Sequence, residues 1–315
     1  MYSNKKGDIV QRVREQIGCN DRILEQYSGK NVTVALLDTG LFPHPDFSGR
    51  IVTFRDFIHG KKEPYDDSGH GTHVAGCLAG DGWISAGKYK GIAPSCKIVA
   101  GKVLDKAGEG SVETMLAGIQ WVKENKEVHG IRILNISIGF EEQVELKKVK
   151  ILVEALEEVY QLGILVVVAA GNKGPRMRSL SPLGMGSHVL TVGCHDKDYY
   201  EQGVTLCETY SGRGPSISVM KKPDLVAPGT NIMATSFRCK RKGKNYENPY
   251  EAKSGTSFSA PLVAGAAALL WEKEPNLTQE EIKHRLCYSA VDLKEPWNKQ
   301  TMFDFFLCKI WLFFP

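Results

Sequence analysis

What this chain has little of narrows it before any motif is read. Charge of one sign is scarce: 315 residues carry a formal net charge of only +4, with acids and bases interspersed. No basic footprint for nucleic acid or a membrane surface is expected from such a balance. Residues 1–8 lead into charged sequence with no apolar h-region, so a signal peptide is not expected. Even the apolar tail, residues 302–315, is too short to cross a bilayer as a helix. CxxC spacing is missing altogether. The 8 cysteines, Cys19, Cys77, Cys96, Cys194, Cys207, Cys239, Cys287 and Cys308, are scattered singly, several in apolar surroundings. That usage predicts reduced, buried thiols and a cytoplasmic protein; the even count would also permit disulfides in a secreted one, against which the missing signal sequence argues.

An ordinary apolar fraction of 42% over this length suits one large α/β domain with a substantial core. The chain is organised around Ser254-Gly-Thr-Ser-Phe-Ser-Ala-Pro261, which runs into the apolar stretch Leu262-Val-Ala-Gly-Ala-Ala-Ala-Leu-Leu270. A turn of small residues delivers Ser257 to the start of a buried helix, whose unpaired N–H groups and dipole favour negative charge beside the hydroxyl. Alone, this is equally the pattern of a capped core helix. A serine becomes a nucleophile only with a positioned base and a group that orients that base.

Both candidates lie upstream. Asn31-Val-Thr-Val-Ala-Leu-Leu37 reads as a buried parallel strand with Asp38 at its carboxyl end, where open α/β sheets place their crevices. Asp67-Ser-Gly-His-Gly-Thr-His-Val-Ala-Gly76 predicts a helix opening at His70, with glycines on either side. His73, three positions on, has no third ligand near it in sequence and reads as structural. Asp66 and Asp67 would complement the dipole of this helix. Between these motifs and Ser257, Val166-Val-Val-Ala-Ala-Gly-Asn172 ends an apolar strand on an amide side chain.

The four motifs, in the order Asp38, His70, Asn172 and Ser257, resemble those of the subtilisin-like serine proteases, the subtilase family or peptidase S8. The resemblance covers roughly residues 31–293 and implies a three-layer α/β/α fold with a mostly parallel central sheet. It implies hydrolysis of peptide bonds through an acyl-enzyme: Ser257 attacks, His70 shuttles the proton, Asp38 orients His70, and Asn172 with the Ser257 backbone N–H holds the oxyanion. Polypeptide substrates bound in extended form are the implied partners. By the same similarity Gly108 and Gly110 border the cleft, and Ser137, Ile138 and Gly139 form one wall of the pocket for the residue before the cut. Ala169, Ala170 and Gly171, with residues 181–186, form the rest. No acid occurs among these segments, which suggests an apolar preference.

Cofactors are not required by the pattern. Calcium is left open, because the 80–94 loop, which wraps an ion in many secreted members, offers only Asp81 here. That loop resembles the intracellular, AprX-like branch. No metal ligands are assigned. The expected organisation is a helical extension over 1–30, a catalytic domain over 31–295 and an apolar tail over 296–315. The tail could pack on the domain, lie exposed, or not be the native ending. Arg238, Lys240, Arg241, Lys242 and Lys244 read as a solvated hairpin in preference to a nucleic-acid patch. Leu262 stands where the family often has His, at a position expected to face the helix packing. A silent subtilase-like binding protein usually lacks a triad residue, and a thiol hydrolase would need Cys at 257. Neither description fits these residues.

Overall fold

The computed structural model describes residues 9–138, 145–196, 206–214, 221–293 and 306–308. Its centre is a parallel sheet built from the most apolar runs of the chain. In spatial order the strands are β2 (Ile51–Asp56), β3 (Lys97–Lys102), β1 (Thr33–Asp38), β4 (Ile131–Ile136), β5 (Leu165–Ala169), β6 (Leu190–Cys194) and β7 (Leu225–Ala227). Beyond β7 lie a parallel two-residue strand, β13 (Phe306–Leu307), and an antiparallel one, β12 (Val291–Asp292). The expected three-layer α/β/α architecture is therefore present. Of the 296–315 tail only residues 306–308 are described; they add to the sheet edge, with the Cys308 N–H donating to the Val226 carbonyl.

Successive side chains of a strand point to opposite faces, and β1 shows the consequence. Val34 and Leu36 enter one core with α3 (His70–Ala79) and α6 (Thr256–Lys273). Ala35 and Leu37 enter the other with α4 (Val112–His129) and α5 (Leu146–Gln161). With water excluded on both sides, each buried Leu, Ile or Val contributes about 1.5–3 kcal/mol. Amphipathic α5 buries Leu152, Leu156 and Val159, while α6 is buried nearly all round.

The N-terminal segment forms two helices, α1 (Ile9–Ile17) and α2 (Asp21–Gln26), separated at Gly18 with φ 76°. Val13, Ile17, Cys19 and Ile23 join the same core as α3 and α6, so this segment shares the catalytic domain's interior. A seventh helix, α7 (Gln279–Tyr288), opens on a capping box in which the Thr278 and Glu281 side chains each accept the other's backbone N–H.

The expectation that all cysteines are reduced needs correcting. Among the described residues six are free, five of them buried, but Cys194 is disulfide-bonded. No helix among the described residues is long and apolar enough to cross a membrane.

Candidate active site

The carboxyl ends of the parallel strands converge on one rim, as the crevice rule for open α/β sheets requires. Asp38 ends β1 with only 2% of its side chain exposed, and its Oδ1 accepts the Thr39 N–H and the His70 Nδ1–H, each at 2.7 Å. Its Oδ2 is buried without a hydrogen-bond partner. Helix α3 can bring His70 this close because Gly71 has no Cβ; one there would stand 2.2 Å from the Gly40 carbonyl oxygen and 3.1 Å from Asp38 Cβ. Burial works against a charged imidazole, but the Asp38 carboxylate outweighs it through charge and hydrogen bond. His70 is thereby held above its ordinary value.

The loop before α3 is tied down by a carboxylate. Asp66 is buried and accepts the N–H groups of Ser68, Gly69 and Thr72 and the hydroxyls of Thr39 and Thr72. It therefore caps the helix directly, where the sequence promised only a dipole complement. Asp67 does something else. It pairs at 2.7 Å with Lys102, a fully buried lysine whose ammonium also donates to the carbonyls of Thr39 and Leu104. His73 is buried, its Nε2–H shared between the carbonyls of Ile232 and Glu251. Burial, then the nearby Lys253 charge, pushes it down to about 3. A neutral ring with both nitrogens occupied is a structural histidine.

Ser257 is the second residue of α6, half-buried, and its N–H belongs to the first helical turn, which has no carbonyl four residues back. Gly255 before it has φ 149°, which favours glycine, and a Cβ there would lie 3.4 Å from Asn172 Nδ2. Asn172 follows β5, and its Oδ1 accepts both the N–H of Thr256, at 3.1 Å, and its hydroxyl, at 3.0 Å. With its oxygen so engaged, the amide turns its NH2 group toward Gly255. Thr256 also accepts the Gly171 N–H at 3.1 Å. Among the described residues the His70 ring is hydrogen-bonded to Asp38 alone. Ser257 is not joined to it, although the neighbouring Phe258 ring lies 5.4 Å from the His70 ring.

The expected substrate residues divide by exposure. Gly108 and Gly110 are exposed and Gly171 is half-buried, whereas Ser137, Ile138, Ala169 and Ala170 are buried. Those four can offer a peptide only their backbone. Gly139 lies outside the described residues. Three residues near the site escaped the sequence reading: Thr256, Lys102 and Lys253, whose Nζ donates to the Gly69 carbonyl at 3.1 Å. Only Lys102 carried a signal, a lysine closing an apolar strand.

The donors around the 80–94 loop do not fit calcium. Asp46 accepts from Tyr250 and from the Ile84 N–H, and Asp81 from the Trp83 N–H, with the Arg50 guanidinium 3.6 Å away. Two carboxylates already engaged, with a cation between them, leave no cage of free oxygens. Cys194, Asp196 and Glu208 also cluster. Cys194 is in a disulfide, and Asp196 accepts the N–H groups of Gly229 and Thr230, so this group is no ion site.

Fold, strand-end carboxylate, paired imidazole and amide beside a helix-borne serine together are those of the subtilisin-like class. Residues 29–305 match the subtilase family, Peptidase_S8, and the chain belongs to it. It is 39% identical over 269 residues to serine protease AprX of Bacillus subtilis (strain 168), covering 82% of this chain and 61% of that protein's length. To subtilisin DY of Bacillus licheniformis it is 32% identical, over 87% of this chain and 89% of the relative. Among solved structures it resembles a cold adapted subtilisin-like serine proteinase, with a TM-score of 0.70 and 27% identity over 90% of each chain. Sphericase matches with a TM-score of 0.72 and 25% identity, over 90% of this chain and 91% of that one.

Proposed function

We propose that this chain cleaves peptide bonds through an acyl-enzyme on Ser257. An extended polypeptide places its carbonyl carbon at Ser257 Oγ. His70 Nε2 takes the hydroxyl proton as the oxygen attacks, and Asp38 holds the ring by Nδ1 and offsets the charge formed. The carbonyl oxygen, now negative, accepts from the Asn172 NH2 and the Ser257 N–H. The imidazolium returns its proton to the departing amine, and water then repeats the sequence to free the acid and restore the serine. Hydrogen bonds of catalytic groups often tighten only once substrate is bound, so the open Ser257–His70 contact is compatible with this scheme.

The observation that carries the reading is the pairing of two fixed ends: the 2.7 Å Asp38–His70 bond and the Asn172 amide locked by Thr256, with Ser257 next in sequence. The acid-free pocket segments support an apolar residue before the cut. A cytoplasmic setting draws on the six free thiols; the Cys194 disulfide weighs against it. A binding protein without turnover is the rival, and it draws on the missing Ser257–His70 hydrogen bond.

One experiment decides between them. Wild type should degrade an unfolded protein and be labelled and silenced by a serine-directed phosphonate, while Ser257→Ala should do neither. Equal degradation by both proteins, or none by wild type, would dispose of the assignment.

A further inference from the structure

Between β8 (Ile232–Thr235) and β11 (Tyr250–Lys253) the chain raises a hairpin, β9 (Lys240–Lys242) and β10 (Asn245–Glu247), turning at Gly243 and Lys244. Residues 238–247 hold five basic side chains and one acid, so this one segment accounts for the whole net +4 of the chain. Outside it the charges balance. The acid, Glu247, is paired with Lys242 across the strands. Arg238, Lys240, Arg241 and Lys244 are exposed and have no carboxylate within ion-pair reach among the described residues.

The position of the hairpin gives this charge a target. Its base is anchored on the loop that carries His70. The Phe237 ring fills the place of a missing side chain at Gly69, where a Cβ would stand 2.2 Å from it, and the Arg238 guanidinium lies over that ring, 5.5 Å from its centroid. Lys253, at the end of β11, reaches the Gly69 carbonyl. Cation and ring therefore lie against the residue that immediately precedes His70. Chemistry says which half of a substrate passes there. The acyl half stays with the oxyanion at Asn172, while the leaving amine must receive its proton from His70 and so departs past the imidazole.

We propose that the hairpin selects polypeptides carrying acidic residues on the carboxyl side of the cut, the unpaired cations meeting them as the leaving half lies across Phe237 and Arg238. This rests on the protease reading above and names a substrate class for the same site. A field of one sign at the rim of a cleft raises the capture of the opposite charge, by about tenfold or more.

The test uses two peptides with the same apolar acyl half, one followed by alanines and one by a run of glutamates starting two residues after the cut. Wild type should show kcat/KM about tenfold higher on the glutamate peptide, and the advantage should vanish in about 1 M salt, where screening acts over about 3 Å. The triple variant Lys240→Glu, Arg241→Glu, Lys244→Glu keeps the Lys242–Glu247 pair and should reverse the preference while cleaving the alanine peptide as wild type does. Should the triple variant fold poorly, Arg238→Gln alone should lower the preference severalfold. Equal cleavage of both peptides by wild type, or a preference that survives these substitutions, would overturn the proposal while leaving the protease reading intact. Cleavage of neither would overturn both. Equal cleavage together with salt-sensitive binding of a DNA fragment, lost in the triple variant, would reassign the hairpin to nucleic acid.

Discussion

Replacing Thr256 with valine probes the proposed oxyanion side of the site without touching any group that the mechanism brings to substrate. Valine keeps the shape of threonine and removes one oxygen, which donates to Asn172 Oδ1 at 3.0 Å and accepts the Gly171 N–H at 3.1 Å. The backbone bond from Thr256 to the same amide oxygen, at 3.1 Å, survives. Losing the oxyanion donor outright costs roughly 100- to 1000-fold in turnover, a figure measured on subtilisin, a relative of this chain. With one of two restraints left, the amide should be misaimed and not lost. The deficit should then be near the worth of one hydrogen bond, about 1.4 kcal/mol or tenfold in kcat. KM should stay level, because the oxyanion exists only in the transition state. The orphaned Gly171 N–H should separately cost about 1–3 kcal/mol of stability. Steady-state kinetics on a chromogenic peptide with an apolar acyl half, run beside urea unfolding, read both effects. Thr256→Ser, which restores the oxygen, is the control. Valine and serine variants of equal kcat, or a loss falling on KM, would refute the idea that Thr256 aims the amide.

Two further outcomes follow from titration. On the proposed mechanism His70 must be neutral to act as base, and Asp38 holds it above its ordinary value, so the acidic limb of kcat/KM should have its midpoint above that of a free imidazole; Asp38→Asn should move the midpoint down and cut kcat on the order of 10⁴-fold. His44 and His73 are displaced the other way, to about 4 and about 3, in each case foremost by burial. The unfolded chain takes up protons at both positions below the ordinary histidine value and the folded chain does not, so stability is full above it and falls as pH drops. Together the two should remove about 4 kcal/mol between pH 7 and pH 5. Urea unfolding at the two pH values checks this, and His44→Asn should roughly halve the dependence.

The parts of the molecule legible in the sequence are those where one local pattern has one physical meaning. The strand ending at Asp38 is apolar at nearly every position because both faces of the sheet are covered, and His70 opens its helix between two glycines. What stayed hidden are contacts across long stretches of chain. Thr256 meets Asn172 from 84 residues away, and nothing about a threonine beside a serine announces that. The apolar spacing in the helical extension over residues 1–30 predicts a helix that packs on the domain, but it does not say which core it enters; Val13 and Ile17 share the one that holds α3 and α6. The cysteines scatter without a motif, so the disulfide at Cys194 could not be told from the six free thiols. The basic run was recognisable as a hairpin, whereas the seat of Phe237 on Gly69, which places it beside His70, is a matter of tertiary structure.

Two buried charged side chains, Lys102 and Asp66, hold the geometry of Asp38 and His70, and both bind Thr39, the residue after Asp38. A lysine ammonium with no exposure costs several kcal/mol unless its protons are all received. Lys102 meets that condition with the Thr39 carbonyl, the Leu104 carbonyl and Asp67. Those acceptors fix the backbone just beyond Asp38, the exit of β3 and the residue next to Asp66. Asp66 in turn gathers Thr39, Gly69 and Thr72, and so ties the turn after Asp38 to the start of α3. Hydrophobic contacts are non-directional and would tolerate sliding of α3 along the sheet edge. Hydrogen bonds to a buried carboxylate and ammonium do not, because a slide leaves an unpaired charge in a medium that cannot solvate it. The 2.7 Å bond that orients His70 is thus a consequence of where Asp66 and Lys102 are satisfied, which is why its geometry is set before any substrate arrives.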